Sequence, residues 1–429
     1  MGKIAASRRA GLLAAFFFAV NPFVWFYGEV AEIYIVEAAL SALAGYLLYR
    51  FSRDKEEAEF LRATIILGLC GGFRMNAEIF LLPLWLALLF RYRGRPPFLK
   101  PWKYLPALAA ATALWLAPTL VHCGGLSEYL RLSQRTLGAF FETNSVLYGA
   151  SFQAHARMMM KLAAWCAIGA GPLAIGALAV LFRNPDASPD RKTRFFFMIW
   201  AAPALLFFTL VYIAKPGYLL FVFPPFFAFC GAILDRHFKR TGAACVFAAL
   251  VVLPGLCYFF SKGVRENEIP FQLSKGRAFH RLFRYTASDI RYRDFQNDAC
   301  RALLQPRLSG GRKSVFIFSS FSSWHFRTAN YDFPEIESHF IVVDPFNRVG
   351  EHCRFQYGRI FTVGGPSVEV RGREACLFMH EASPWGKQLK ARGLTWIGDS
   401  PDMGCFVLPA GACESIDFSP DSVRFIVNP

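Results

Sequence analysis

From Gly11 to Phe260 the chain is cut into apolar blocks of roughly 15–20 residues that hold almost no charge. A helix of that length crosses a ~30 Å hydrocarbon core, and inside such a core a backbone can satisfy its own polar groups only as a helix or a closed barrel. Nine such segments stand out, at about 11–27, 33–49, 63–73, 76–90, 104–121, 162–182, 195–213, 216–233 and 242–260. After Ser261 the apolar runs shrink to strand length, about five or six residues. The sequence therefore predicts a polytopic α-helical membrane domain over 1–260, followed by a small soluble α/β domain over 261–429. The third segment is short and is parted from the fourth by Gly71-Gly72-Phe73-Arg74, which fits either two short spans or one re-entrant hairpin. Lys3, Arg8 and Arg9 ahead of Gly11–Val20 resemble the start of a secretory leader. The run continues to Phe26 without a small-residue cleavage site, so it reads as a retained first helix.

The net charge is +16, and where it lies decides what it means. Residues 1–260 hold 25 Lys and Arg against 13 acids, while 261–429 hold 22 against 18. The excess sits in the loops between apolar blocks, which is a mark of membrane topology and not of a groove that tracks nucleic-acid phosphates. With a cytoplasmic N-terminus and nine crossings, segments 1–10, 50–62, 91–103, 183–194 and 234–241 are cytoplasmic and carry 19 basic residues. The external segments up to 260 carry six: Arg74, Arg131, Arg135, Arg157, Lys161 and Lys215. That asymmetry predicts an integral multi-pass protein whose C-terminal domain is extracytoplasmic, periplasmic in a bacterium. The long external segment Gly124–Lys161 mixes Tyr129, Leu130, Leu137 and Phe141 with Arg131, Arg135 and Glu142, a pattern for helices that lie on the membrane surface or cover a site.

In the soluble part, β-rich runs at Ser314–Ser319, Phe340–Asp344, Arg359–Val363, Cys376–Met379, Cys405–Leu408 and Val423–Val427 alternate with helical stretches at about 274–304 and 383–392. That order predicts a mostly parallel sheet. Five cysteines lie here (Cys300, Cys353, Cys376, Cys405, Cys413), none spaced as CxxC, so no zinc site is expected. In an oxidising compartment they allow two disulfides and one free thiol, with the pairing left open.

Three stretches carry candidate chemistry. Asn21-Pro22-Phe23-Val24-Trp25-Phe26-Tyr27-Gly28-Glu29-Val30-Ala31-Glu32-Ile33-Tyr34 ends an apolar helix at the external face. Its carboxylates Glu29 and Glu32 fall one turn apart and would share a face if the helix continued. Glu37 follows inside the next span, where a carboxylate is costly and needs a reason. These acids suit a general base, a metal ligand or an acceptor for sugar hydroxyls; the plainer alternative for Glu29 is a charge that complements a helix N-terminus. Gly68-Leu69-Cys70-Gly71-Gly72-Phe73-Arg74-Met75-Asn76-Ala77-Glu78 lets backbones approach closely and gathers Arg74, Asn76 and Glu78 at the external boundary. Arg74 suits a lipid phosphate, against the alternatives of snorkelling or pairing with Glu78. Lys215-Pro216-Gly217-Tyr218 offers a second phosphate partner in Lys215 and an interfacial anchor in Tyr218. Other apparent motifs carry little. Leu308-Ser309-Gly310-Gly311-Arg312 has no companion phosphate-binding loop and reads as a turn before a strand, and Glu351-His352-Cys353 has no second ligand cluster near it in sequence.

The order of these stretches resembles the GT-C superfamily of polyprenyl-phosphate-sugar-dependent glycosyltransferases, in particular its protein O-mannosyltransferase-like branch. Asn21 through Tyr34 looks like that branch's aromatic-to-Glu-x-Tyr segment. Leu67 to Arg74 with Phe80-Leu81-Leu82-Pro83-Leu84-Trp85 looks like its next helix pair, and Pro216-Gly217-Tyr218 with Pro224-Pro225 like its late span. Trp324 to Pro334, with Arg327 and Tyr331, is a fainter match. The resemblance implies transfer of a sugar, mannose or a similar hexose, from a polyprenyl-phosphate carrier to a protein or glycan acceptor outside the cytoplasm. It implies Glu32 as base with Glu29 as helper, and Arg74, Asn76, Glu78, Lys215 and Tyr218 around the lipid phosphate and substrate. No cofactor is required by it, and a divalent cation finds no support in the sequence. One departure stands out: the superfamily carries a catalytic Asp in its first external loop, after a helix, whereas no helix is expected here before residue 11 and every acid in the external segments before Ser261 is a Glu. Three readings follow: the sequence lacks N-terminal helices, Glu29 or Glu32 has taken the role, or the chain is a non-catalytic subunit that binds lipid-linked sugar. A transporter is a third class, weakened by the lack of an inverted repeat and by few charges within the apolar blocks.

Overall fold

The structure is a computed structural model, and it describes residues 7–30, 33–93, 99–238, 241–261, 285–309, 314–319, 333, 336–343, 349–356, 359–363, 365, 367–400, 403–419 and 422–427. The described residues up to 261, with 285–288, form one compact unit, and those from 289 onward form another.

The first unit is helical. α1 (Arg8–Ala19) is capped by Ser7, whose hydroxyl accepts from the amides of Arg9 and Ala10. Pro22 then opens α2 (Pro22–Glu29), where Asn21 caps the amide of Phe23 and its side-chain N–H donates to the Gly169 carbonyl at 2.6 Å. These caps turn the chain between α1 and α2 by 59°. There follow α3 (Tyr34–Asp54), α4 (Glu57–Phe73), α5 (Met75–Arg91), α6 (Pro101–Cys123), α7 (Leu126–Asn144), α8 (Phe152–Arg183), α9 (Arg191–Leu210), a 3₁₀ segment Pro216–Phe221, α10 (Phe223–His237) and α11 (Thr241–Phe260).

Four of these are long and apolar enough to cross a membrane (α6, α8, α9 and α11), and a fifth counts if α1 and α2 form one bent span. By that measure the expected nine crossings are not reached. α4 and α5 have 17 residues each and α10 has 15, while α3 carries Glu37 in its first turn and Arg53 in its last. Contacts at both ends fix how the helices over 63–90 lie against α3. α4 stops at Phe73 and α5 begins at Met75, so Arg74 alone makes the turn. Arg74 meets Glu37 at the start of α3, and Tyr92, just past α5, meets Lys55, just past α3. Both legs therefore run the length of α3. α6 lies against α4, where Gly68, Gly71 and Gly72 leave no room for a Cβ beside Ala111 and Trp115, and Trp115 donates to the Gly68 carbonyl at 2.8 Å. α1 approaches α10 in the same way at Gly231. Trp200 of α9 lies against Gly45 of α3 and donates to Ser41, which donates in turn to the Phe221 carbonyl.

The second unit holds α12 (Ala287–Ser309), α13 (Pro384–Ala391) and ten strands: β1 (Ser314–Ser319), β2 (Ser338–Val343), β3 (Val349–Gln356), β4 (Arg359–Val363), β5 (Ser367–Glu369), β6 (Glu374–Phe378), β7 (Thr395–Ser400), β8 (Met403–Leu408), β9 (Ser415–Ser419) and β10 (Ser422–Ile426). Seven strands form one sheet in the order β4-β3-β2-β1-β6-β8-β7, and β10-β9-β5 form a second. The expected mostly parallel sheet is corrected: only β1–β2 and β1–β6 pair in parallel, and the other pairs are antiparallel. The cause is connection length. β3–β4 and β7–β8 are joined by two residues each, which permits only hairpins, whereas the run through α13 is long enough to cross over and set β7 parallel to β6 with β8 between them. β1 is buried on both faces. Val315 and Ile317 pack with Trp385 and Leu389 of α13 and with Ile416 and Phe418, while Phe316 and Phe318 pack with Leu304 of α12 and Phe378. Cys376, Cys405 and Cys413 are buried free thiols. The two disulfides that five cysteines would allow are not formed, because three of the five are free thiols in the core.

Candidate functional site

The first unit gathers charge and aromatic rings at one end of α3 and α5. Tyr34 starts α3 and Glu37 lies in its first turn, where a carboxylate complements the helix N-terminus. Glu37 is 3% exposed and the Arg74 side chain 13%, so desolvation makes each depend on the other. Arg74 Nη1 donates to Glu37 Oε2 at 2.6 Å. The guanidinium also lies 4.6 Å from the ring centroid of Tyr34 and 4.0 Å from that of Tyr218, between two π faces that stabilise a cation.

The rings form a continuous wall. Tyr27, in the last turn of α2, stands 4.9 Å from Tyr34, and Tyr34 stands 5.4 Å from Tyr218. Tyr218 in turn meets Phe208 and Tyr212. Gly217 makes this possible, because a Cβ there would run into the rings of Tyr34 and Tyr27. Surface helix α7 lies over this end: Tyr129 donates to the Met75 sulfur at 3.6 Å, Phe141 packs on Tyr212, and Ser145 at the end of α7 donates to the Leu210 carbonyl.

The other expected site residues divide. Glu78 lies four residues into α5 and is half-buried; it accepts from Thr112 of α6 at 2.6 Å and does not pair with Arg74. Asn76 is half-buried and makes no side-chain hydrogen bond among the described residues. Tyr218 joins the wall, while Lys215 is exposed just ahead of it. Glu29 is exposed and ends α2, so it stands at a helix C-terminus, opposite to the N-terminal charge role. Val30 is extended, so the helix that would have set Glu29 and Glu32 on one face stops short. Glu32 lies outside the described residues, as do Arg327, Tyr331 and Pro334 of the fainter match. Among the described residues no three His, Cys, Asp or Glu come together as a metal-holding group.

Glu37 is the residue whose role sequence reasoning did not assign. Its signal was present: a carboxylate near the start of one apolar segment, with a lone Arg directly after the next.

Residues 1–122 match the family model for dolichyl-phosphate-mannose-protein mannosyltransferase. No curated protein and no solved structure matches the chain. The family match spans α1 to α6 and so includes Tyr27, Tyr34, Glu37, Arg74 and Glu78. It supports a membrane glycosyltransferase of GT-C type, and it covers less than a third of the chain.

Proposed function

We propose that this protein is an integral membrane glycosyltransferase that moves a hexose, mannose in the first instance, from a polyprenyl phosphate to a protein or glycan acceptor outside the cytoplasm. The observation that carries the proposal is the coincidence of the family match over 1–122 with the buried Arg74–Glu37 pair and its tyrosine wall, of which Tyr27, Tyr34, Glu37 and Arg74 lie inside the matched region and Tyr218 outside it.

The chemistry needs a base and a place for phosphate. A carboxylate takes the proton of the acceptor hydroxyl, the hydroxyl oxygen attacks the anomeric carbon, and the sugar–phosphate C–O bond breaks with its electron pair leaving on the polyprenyl phosphate. Glu32 is proposed as the base, among the four residues that join α2 to α3, with Glu29 three positions before it in sequence. Arg74 is proposed as the phosphate partner: Glu37 accepts from one Nη1–H, and a guanidinium has five donors in a planar fork. Lys215 adds a second cation ahead of Tyr218, while Asn76 and Glu78 orient the substrate. In this proposal residues 1–260 form the transfer unit with a cytoplasmic N-terminus, and residues 261–429 form an extracytoplasmic domain that guides the acceptor.

The test is transfer of labelled hexose by membranes carrying Glu32→Gln or Glu29→Gln. Loss of a general base costs about 10²–10⁴ in rate. Undiminished transfer by Glu32→Gln would remove Glu32 as base, and the same result for both variants would remove the assignment. Binding of lipid-linked sugar without transfer is the second reading, favoured by the absence of Asp from the proposed external segments before Ser261.

A further inference from the structure

At the opposite end of α3 and α5 from Arg74, ~30 Å away by helix rise, a cavity of about 320 Å³ opens between the C-terminal ends of α3 and α5 and the first turns of α9. It plays no part in the proposed transfer. Its mouth is cationic: Arg53 and Lys55 come from the end of α3, Arg91 from the end of α5 and Lys192 from the start of α9. Asp190 is the one acidic residue in the lining, and its carboxylate caps α9 by accepting from the Thr193 amide at 3.3 Å.

The cations differ in how they are held. Arg53 is paired with its neighbour Asp54. Lys55 is fixed in place: it is the sole non-glycine residue with positive φ among the described residues, at 64°, and its ammonium donates to the Ser52 carbonyl and the Tyr92 hydroxyl. Both of those partners are neutral oxygens, so the positive charge persists. Arg91 and Lys192 make no ion pair among the described residues. Three helices thus converge on a pocket in which Asp54 and Asp190 offset two of the four cations and a net positive charge remains.

The inner wall is apolar, with Leu84, Leu88, Phe195 and Ile199 running from the charged mouth along α5 and α9. α9 is one of the helices able to cross a membrane, and Met198 on it, outside the cavity lining, is 57% exposed, so apolar surface of α9 continues beyond the cavity. A basic mouth beside an apolar wall, on a helix able to cross a membrane, matches a phosphate group attached to acyl chains better than a free phosphate, which would leave the apolar wall uncovered. We infer that this cavity binds a phosphate carried by an anionic membrane lipid, with the headgroup between Arg91, Lys192 and Lys55 and the chains along α5 and α9. The inference is independent of the transferase proposal and uses none of its residues.

The experiment is native mass spectrometry of the detergent-solubilised full chain titrated with dioctanoyl phosphatidylglycerol, dioctanoyl phosphatidylcholine or inorganic phosphate. The variant is Arg91→Gln/Lys192→Gln, both on exposed side chains. Arg183→Gln/Arg194→Gln, exposed basic residues outside the cavity lining, is the control. The expected result is phosphatidylglycerol adducts on the wild type and the control, binding weaker by roughly 30-fold in the cavity variant, and weak binding of phosphatidylcholine throughout. Equal phosphatidylglycerol binding by the cavity variant, or equal binding of the two lipids, would overturn the inference. So would displacement of the lipid by millimolar inorganic phosphate, which would assign the pocket to a soluble anion.

Discussion

Replacing Arg74 with Met leaves the Glu37 carboxylate, 3% exposed, without its cation. Removing one partner of a buried ion pair costs about 3–5 kcal/mol, because the remaining charge stays desolvated and unmatched. The two tyrosine faces at 4.0 and 4.6 Å lose a cation as well, a further ~0.5–2 kcal/mol each. Glu37→Gln is milder, since the amide oxygen still accepts from Nη1 and the guanidinium keeps both rings; its cost is about 2 kcal/mol. The double variant holds no stranded charge and therefore loses less than the sum of the two singles, with a coupling of at least about 2 kcal/mol. The assay is reversible denaturant unfolding of the full chain in detergent, followed by tryptophan fluorescence and by circular dichroism. Additivity within about 0.5 kcal/mol would refute the reasoning, because two groups in direct contact at 2.6 Å cannot be energetically independent if the pair holds α3 to the α4–α5 turn. Arg74→Lys should fall near the Met variant, not near wild type, since an ammonium keeps the charge but loses the planar fork and the stack on the rings.

Two further outcomes follow from packing and titration. A Cβ at Gly71 would overlap the Glu78 carboxylate and the Trp115 ring, so Gly71→Val should push α6 off α4 and cost about 1–3 kcal/mol in the same assay, whereas Gly28→Ala, which meets nothing, should cost little. In the second unit, hydrogen bonds from His339 and Arg373 hold the Glu337 carboxyl down at about 2. A depressed carboxyl adds stability above its ordinary range near 4.5, and that contribution disappears as pH falls toward 2. Hydrogen-exchange protection of β1 and β2 in the full chain should therefore fall over that window, and Glu337→Gln should lower protection at pH 7 by about 1–2 kcal/mol after solvent screening, yet match wild type at pH 2.

Some helix boundaries are legible in the sequence: Ser7, Asn21-Pro22 and Ser151 cap their helices, and Gly124 ends one in a left-handed turn. Strands buried on both faces were legible as well, since Val315 to Phe318 and Ala375 to Phe378 are continuous apolar runs. Strands β3, β5, β7 and β9 went unseen, because Val349–Gln356, Ser367–Glu369, Thr395–Ser400 and Ser415–Ser419 are short or mixed with polar residues and owe their strand state to pairing partners. At the candidate site the composition was readable and the partners were not. Arg74 has Glu78 four residues away, yet pairs with Glu37 across 37 positions, because α4 folds back along α3 and brings the turn to the start of α3. The hydroxyl of Thr112, which no spacing rule links to Glu78, takes up the nearer carboxylate.

Turnover by the purified wild-type chain tests the central claim most directly. The full chain is reconstituted in proteoliposomes with polyprenyl-phosphate mannose and an acceptor peptide, and mass spectrometry follows the release of polyprenyl phosphate together with the mannosylated product. The account predicts that both appear in equal amounts and well above protein-free liposomes. Tight binding of the lipid-linked mannose with no release of polyprenyl phosphate would contradict it and leave the chain as a protein that holds lipid-linked sugar without transferring it.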